Sequence, residues 1–300
     1  MRFTASLLAA AATLFSGTPV LAQQQTDWDA VEITTQQIAP GIAVLFGQGG
    51  NIAVSHGPDG TVMIDDQFAE LSDKIAAAVA ALGAQPVGYL INTHWHFDHA
   101  GGNQAFGEKG AQIFAHHNVR KRLMEGSTTG RAAVPPAPPA ALPILTYEQG
   151  IRLHLNGDTI DVMFTGGGHT DGDSVVFWRE DNVVHMGDLY FKIPGYPFID
   201  RNSGGSVLHA MNSLDTVIRM IDDETKVIPG HGPMSNKAEL VAYRAFVGKA
   251  VDDVRALLEQ GMSADEVVAA NPFADYNRGE GFIGPEAFIR TIYANLEAAP

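Results

Sequence analysis

The sequence predicts an α/β protein made of two β-rich sheets with helices packed outside them. Short apolar runs punctuated by glycine, proline and aspartate recur as far as residue 228, and each of two successive stretches gives strands first and a helix afterwards. Beyond residue 235 the pattern is helical alone.

Residues 41–46 and 51–55 read as strands joined by the glycine-rich tip Gly47-Gln48-Gly49-Gly50, and Pro58-Asp59-Gly60 turns the chain into a third strand over 61–65. Leu71, Ile75, Val79 and Leu82 fall at helical spacing, so residues 69–82 form a helix that Gly83 caps. Residues 87–91 form a short buried strand, 112–115 another, and 118–124 a helix. Five prolines between 135 and 143 make the stretch 126–143 an extended surface loop or flap, since such a segment cannot be a core element. The strand pattern restarts over 151–155, 158–164, 174–178 and 183–186, passes through a helix over 205–221 and ends in a strand at 226–228. Helices over 236–260, 263–270 and 285–297 follow, the first with Ala242, Phe246, Ala250, Val254 and Leu257 as its buried stripe.

The N-terminus reads differently. Arg2, an apolar run from Ala5 to Phe15 too short to span a bilayer, and small residues up to Ala22 are the marks of a secretory signal peptide, residues 1–22. The expected product is a periplasmic or secreted single domain, residues 23–300, with 235–300 as a helical C-terminal extension and no membrane contact after cleavage. It has no cysteine, which removes both disulfides and a thiolate nucleophile. The 34 acidic against 19 basic residues of the whole sequence argue against nucleic acid or an anionic membrane as partner and leave a small-molecule substrate.

The chemistry concentrates after the strand at 87–91, where His94, His96, Asp98 and His99 place four metal-ligand types within six residues. Neutral imidazole and carboxylate are donors that zinc, iron and manganese accept. His94 and His96, two apart in extended chain, point the same way, while Asp98 and His99 lie past the bend. Three more candidates stand where a strand gives way to a glycine-flanked loop: His169, Asp188 and His231. The remaining histidines are read as structural. His116 and His117 sit at a helix start, and His185 has the wrong spacing to share a face with Asp188.

In that order and those contexts, His94-x-His96-x-Asp98-His99, His169, Asp188 and His231 resemble the metallo-β-lactamase superfamily over about residues 41–233. The resemblance implies a four-layer αββα sandwich with two metal ions in the cleft between the sheet edges. It implies that His94, His96 and His169 hold one ion and Asp98, His99 and His231 the other, with Asp188 bridging them. Asp65 matches the superfamily's early aspartate and is expected to brace the His94 loop from behind. The implied cofactor is a pair of Zn2+ ions, with iron or manganese as alternatives. The implied reaction is attack of a metal-bridging hydroxide on a substrate carbonyl, Asp98 handling the proton.

Asp188 narrows the reading. True β-lactamases of the superfamily usually carry Cys or Ser there, whereas glyoxalase II-like thioesterases, lactonases and broad acyl hydrolases carry Asp. A dinuclear hydrolase of a lactone, thioester or β-lactam is therefore expected, with a β-lactamase proper or a mononuclear iron persulfide dioxygenase as alternatives. Lys192, four residues past Asp188, is the candidate partner for a substrate carboxylate.

Overall fold

The computed structural model describes residues 26–129 and 132–299, so the expected signal peptide lies outside the described residues. The first half supplies β1 (Thr34–Ala39), β2 (Ile42–Phe46), β3 (Ile52–Gly57), β4 (Gly60–Ile64), α1 (Ser72–Ala81), β5 (Val87–Ile91), α2 (Phe97–Ala100), α3 (Asn103–Glu108), β6 (Gln112–His116) and α4 (His117–Glu125). A small hairpin, β7 (Ser127–Thr129) with β8 (Ala132–Val134), then leads to β9 (Leu145–Tyr147). Among the described residues seven of these strands form one sheet in the order β1-β2-β3-β4-β5-β6-β9. The edge from β1 to β4 is antiparallel, and β4, β5, β6 and β9 run parallel.

The second half supplies β10 (Gly150–Leu155), β11 (Asp158–Phe164), β12 (Ser174–Trp178), β13 (Val183–His185), α5 (Val207–Met220), β14 (Lys226–Ile228) and β15 (Ser235–Asn236). These six strands make a second sheet in sequence order. Its helices are α5 together with α6 (Lys237–Leu258), α7 (Ala264–Ala270) and α8 (Pro285–Glu297).

Alternation along the strands decides the layers. Val44, Val62, Ile64 and Ile91 of the first sheet meet Ile160, Val162, Val176 and Val183 of the second in an inter-sheet core. The opposite side of the first sheet, with Leu45, Val54, Met63 and Leu90, is covered by Leu71, Ile75 and Val79 of the α1 segment and Phe106 of α3. The opposite side of the second, with Val175, Phe177 and Val184, is covered by α5, α6 and α8. The result is the four-layer αββα arrangement with helical C-terminal region that the sequence predicts. No helix among the described residues is long and apolar enough to cross a membrane.

Three local expectations change. The stretch 126–143 holds the β7–β8 hairpin and a single 3-10 turn, Pro139–Ala141, whose Ala141 is buried against α3. Of the predicted α6 stripe, Ala250 and Val254 are buried and Phe246 and Leu257 half-buried, while Ala242 is exposed; Leu240, Tyr243, Val247 and Val251 complete the buried side, which faces α5 and α8. Finally β1, a mostly exposed edge strand of sequence TTQQIA, carries too little apolar alternation to be read from sequence.

Candidate metal centre

Each chemical residue leaves the end of a central strand. β5 runs into Asn92, Thr93 and His94, and His96 caps the short helix α2, which carries Asp98 and His99. In the other sheet β11, β13 and β14 run in the same direction and deliver His169, Asp188 and His231 from their following loops. Asn51 ties the two sheets together at this edge. Its side-chain amide donates to the carbonyls of Pro229 and Gly232, fixing the loop that carries His231. The loop must also come close: a β-carbon on Gly230 would collide with Asp188 Oδ1.

The seven predicted residues converge into two groups, His94, His96, His169 and Asp188 in one and Asp98, His99 and His231 in the other. His96 Nδ1 lies 3.2 Å from His94 Nε2 and 2.8 Å from His169 Nε2. In the second group His99 Nε2 is 3.2 Å from His231 Nε2, which is 3.3 Å from Asp98 Oδ2. Asp188 stands between them, with Oδ2 3.4 Å from His169 Nε2 and Oδ1 3.1 Å from His99 Nε2.

Hydrogen bonds behind the rings decide which nitrogens face inward. His96 Nε2 donates to Asp200 Oδ2 at 3.0 Å and His169 Nδ1 to the Phe198 carbonyl at 2.6 Å. Thr93 Oγ1 donates to Asp65 Oδ2 at 2.7 Å and so accepts from His94 Nδ1 at 3.0 Å. His99 Nδ1 donates to the same Asp65 oxygen at 2.7 Å. With the outer nitrogens protonated by these partners, unprotonated lone pairs of His94, His96 and His169 point at one another across about 3 Å. Facing lone pairs repel, and Asp188 Oδ1 is buried without a hydrogen-bond partner; a cation at each group satisfies both conditions. The donor set therefore fits two metal ions.

The electrostatics separate the groups. Burial pushes the His94 imidazole well down and His169 down to about 4, so both are neutral donors. Burial opposes protonation of His99 and His231 too, but Asp188 and Asp98 outweigh it, holding His99 well above its ordinary value and His231 up at about 9. Burial would raise Asp188, yet His99, His231 and His169 keep its carboxylate well below the usual range.

Asp65 does more than brace His94. It holds Thr93 by backbone and hydroxyl and binds His99 directly, from a left-handed backbone conformation (φ 61°) at the end of β4. Sequence reasoning missed Asp200, Thr93 and Asn51. Asp200 lies 104 residues from His96 with no spacing motif to link them, whereas Thr93 adjoins His94 and carried a readable signal. His185 is buried, as a structural support: it faces the Asn51 carbonyl at 2.9 Å and accepts from the Gly187 amide. His116 caps α4 and stacks on Phe164. Lys192 lies beside the site, its backbone amide donating to the His231 carbonyl at 2.9 Å, with its side chain turned away. Its ammonium donates to the Met234 carbonyl and to Glu239 Oε2, each at 2.7 Å, so its charge is spent at the start of α6 and not on the ligands.

Comparison with known proteins agrees with this geometry. The family model described as the metallo-beta-lactamase superfamily matches residues 47–233. A metallo-beta-lactamase from Cronobacter sakazakii superposes with a TM-score of 0.63 at 22% identity, covering 79% of this chain and 99% of that one. A sec-alkyl sulfatase superposes with a TM-score of 0.66 at 15% identity, covering 88% of this chain and 50% of that one. In sequence, a hydroxyacylglutathione hydrolase from Pelagibacter ubique is 27% identical over 144 residues, 48% of this chain and 51% of that protein. The alpha subunit of a 2,4-dinitroanisole O-demethylase from a Nocardioides species is 26% identical over 117 residues, 38% of this chain and 33% of that protein. The chain thus spans between a third and a half of these curated relatives, and the structural likenesses speak for the fold alone.

Proposed function

Because the chain belongs to the metallo-β-lactamase superfamily, we propose that it is a dinuclear zinc hydrolase of small carbonyl compounds: a lactone, a thioester or a β-lactam. One observation carries the reading. Asp188 turns one carboxylate oxygen to each donor group, as a bridge between two ions requires. His94, His96 and His169 would hold one ion and Asp98, His99 and His231 the other. Bound there, the pair supplies an acidified water and polarises the carbonyl that water attacks.

The chain's own residues complete the chemistry. Asp98 is less buried than the other acid, and although burial raises its carboxyl, His99 and His231 hold it below its ordinary value. It starts as a carboxylate, takes a proton from the attacking water at Oδ2 and returns it to the departing oxygen, sulfur or nitrogen. Water is consumed and the acyl bond breaks: a thioester gives a carboxylic acid and a free thiol, whereas a lactone or β-lactam opens to one product carrying both the carboxylic acid and the protonated oxygen or nitrogen. Asp188, in place of the Cys or Ser usual in true β-lactamases, favours a broader acyl hydrolase over an enzyme dedicated to β-lactams. We also propose export through residues 1–22, tested by the N-terminal mass of protein recovered outside the cytoplasm.

The decisive experiment is metal quantification on the purified protein, followed by a hydrolysis screen across nitrocefin, lactones and thioesters with His96→Ala as control. About two zinc ions per chain and an inactive control support the reading. One iron per chain with oxygen consumption, or full activity in His96→Ala, sinks it.

A further inference from the structure

The helical tail reaches back to the metal centre. Between α7 and α8 the chain docks on the segment after Asp188: the Gly195 amide donates to the Arg278 carbonyl at 2.8 Å, the Tyr196 amide to the Ile283 carbonyl at 3.0 Å, and Arg278 Nε to the Gly195 carbonyl at 3.0 Å. The approach is tight, since a β-carbon on Gly281 would collide with the Pro194 carbonyl. Arg278 is further fixed over the Phe246 ring of α6, 4.5 Å from its centroid.

This docking sets Phe282 edge-on against Phe198, with ring centroids 5.7 Å apart. Phe198 in turn stacks on His96 at 5.8 Å and meets His169 edge-on at 5.5 Å. Phe282 nevertheless stays 82% exposed, a large apolar ring that its own fold leaves in water. Phe97, inside the ligand motif itself, is 45% exposed as well. An apolar path from the ligands through Phe198 to the exposed Phe282, with Lys192 paired to Glu239 and Arg278 held by the Gly195 carbonyl and the Phe246 ring, suits a neutral substrate carrying a hydrocarbon group.

We propose that Phe282, presented by the C-terminal extension and stacked through Phe198 on the His96–His169 side of the centre, forms an apolar subsite that binds the acyl chain or ring of an uncharged ester or lactone. The inference rests on the hydrolase reading for its substrate and on the ring contacts for its location. Apolar contact made here lowers KM more than it raises kcat, because the ring stands away from the reacting carbonyl.

The test compares p-nitrophenyl acetate, butyrate and octanoate with the zinc-loaded protein, alongside binding of the neutral probe octanamide to chelator-treated protein by calorimetry. Wild type is expected to favour octanoate. Phe282→Ala is expected to cut the octanoate-to-acetate ratio of kcat/KM by roughly tenfold, mainly through KM, and to weaken octanamide binding in parallel. Phe282→Leu should restore most of both, and an unchanged melting temperature in Phe282→Ala separates lost binding from lost fold. A ratio and an octanamide affinity equal to wild type in Phe282→Ala would overturn the subsite. Absence of hydrolysis in every variant, of these esters and of the lactones, thioesters and nitrocefin of the screen above, with octanamide binding still dependent on Phe282, would overturn the hydrolase reading and uphold the subsite.

Discussion

The two halves of the metal centre are built to different standards. His94, His96 and His169 are all buried, and each has its outer nitrogen tied to a separate partner: Thr93, Asp200 and the Phe198 carbonyl. In the other half only His99 has such a tie, to Asp65; the side chains of Asp98 and His231 are 23% and 20% exposed, and His231 is steadied by stacking on Phe191. Pre-set tautomers and the neutral rings of His94 and His169 make the first group a ready receptor for a cation. The second must shed protons and order partly solvated side chains as it binds. In the proposed two-ion site, tight holding and exchange with solvent would thus be divided between two groups that share Asp188.

The contrast breaks most directly through the ligands. His169→Ala is expected to lose metal from both groups and to lower hydrolysis by more than the ~10–100-fold typical of an outer contact, whereas His231→Ala should retain about one ion per chain. Metal analysis after dialysis reads the difference; equal loss in both variants would erase the distinction. Asp200→Ala comes next, with an expected ~10–100-fold loss of affinity at the first group and little change at the second, read by competition with a chromophoric chelator.

Proton release sharpens the comparison further. At pH 7 the first equivalent of zinc meets His94 and His169 already neutral, while the second displaces protons from His99 and His231. Titration in weak buffer should therefore show more acid released by the second equivalent. In chelator-treated protein the two groups should also pull stability in opposite directions. His231, raised to about 9, stabilises fully below its ordinary pKa near 6.5 and loses that contribution as pH rises through about 9. His169, lowered to about 4, favours the fold above pH 6.5 and loses that contribution as pH falls through about 4. Melting curves from pH 4 to 10 on wild type, His231→Ala and His169→Ala test both slopes. Lys192→Ala is the smallest expected effect: unchanged hydrolysis, and a stability cost of ~0.2–1 kcal/mol for the partly exposed pair with Glu239.

What the sequence made legible follows from where information is local. The β3–β4 hairpin could be read because Pro58-Asp59-Gly60 is turn chemistry, and α1 because Ile75 and Val79 repeat on one face and Gly83 takes a left-handed φ of 76°. Four of the seven ligand candidates stood out by their density over residues 94–99, and His169, Asp188 and His231 because they lie in glycine-flanked loops after strands. Asp200 and Asn51 did not, since their roles arise from contacts with residues more than a hundred positions away in the chain. The pairing of Lys192 was out of reach for a related reason. Its four-residue spacing from Asp188 says nothing about Glu239, which lies 47 residues on and takes the charge.

The division of donors between the two sheets has a practical corollary. A cut in the turn at 148–149 would leave His94, His96, Asp98 and His99 on one fragment and His169, Asp188 and His231 on the other, each set incomplete. Only reassembly across the inter-sheet core would restore a bridging carboxylate between two full sets. The fold is therefore a natural template for a split reporter, in which metal uptake signals that two polypeptides have come together.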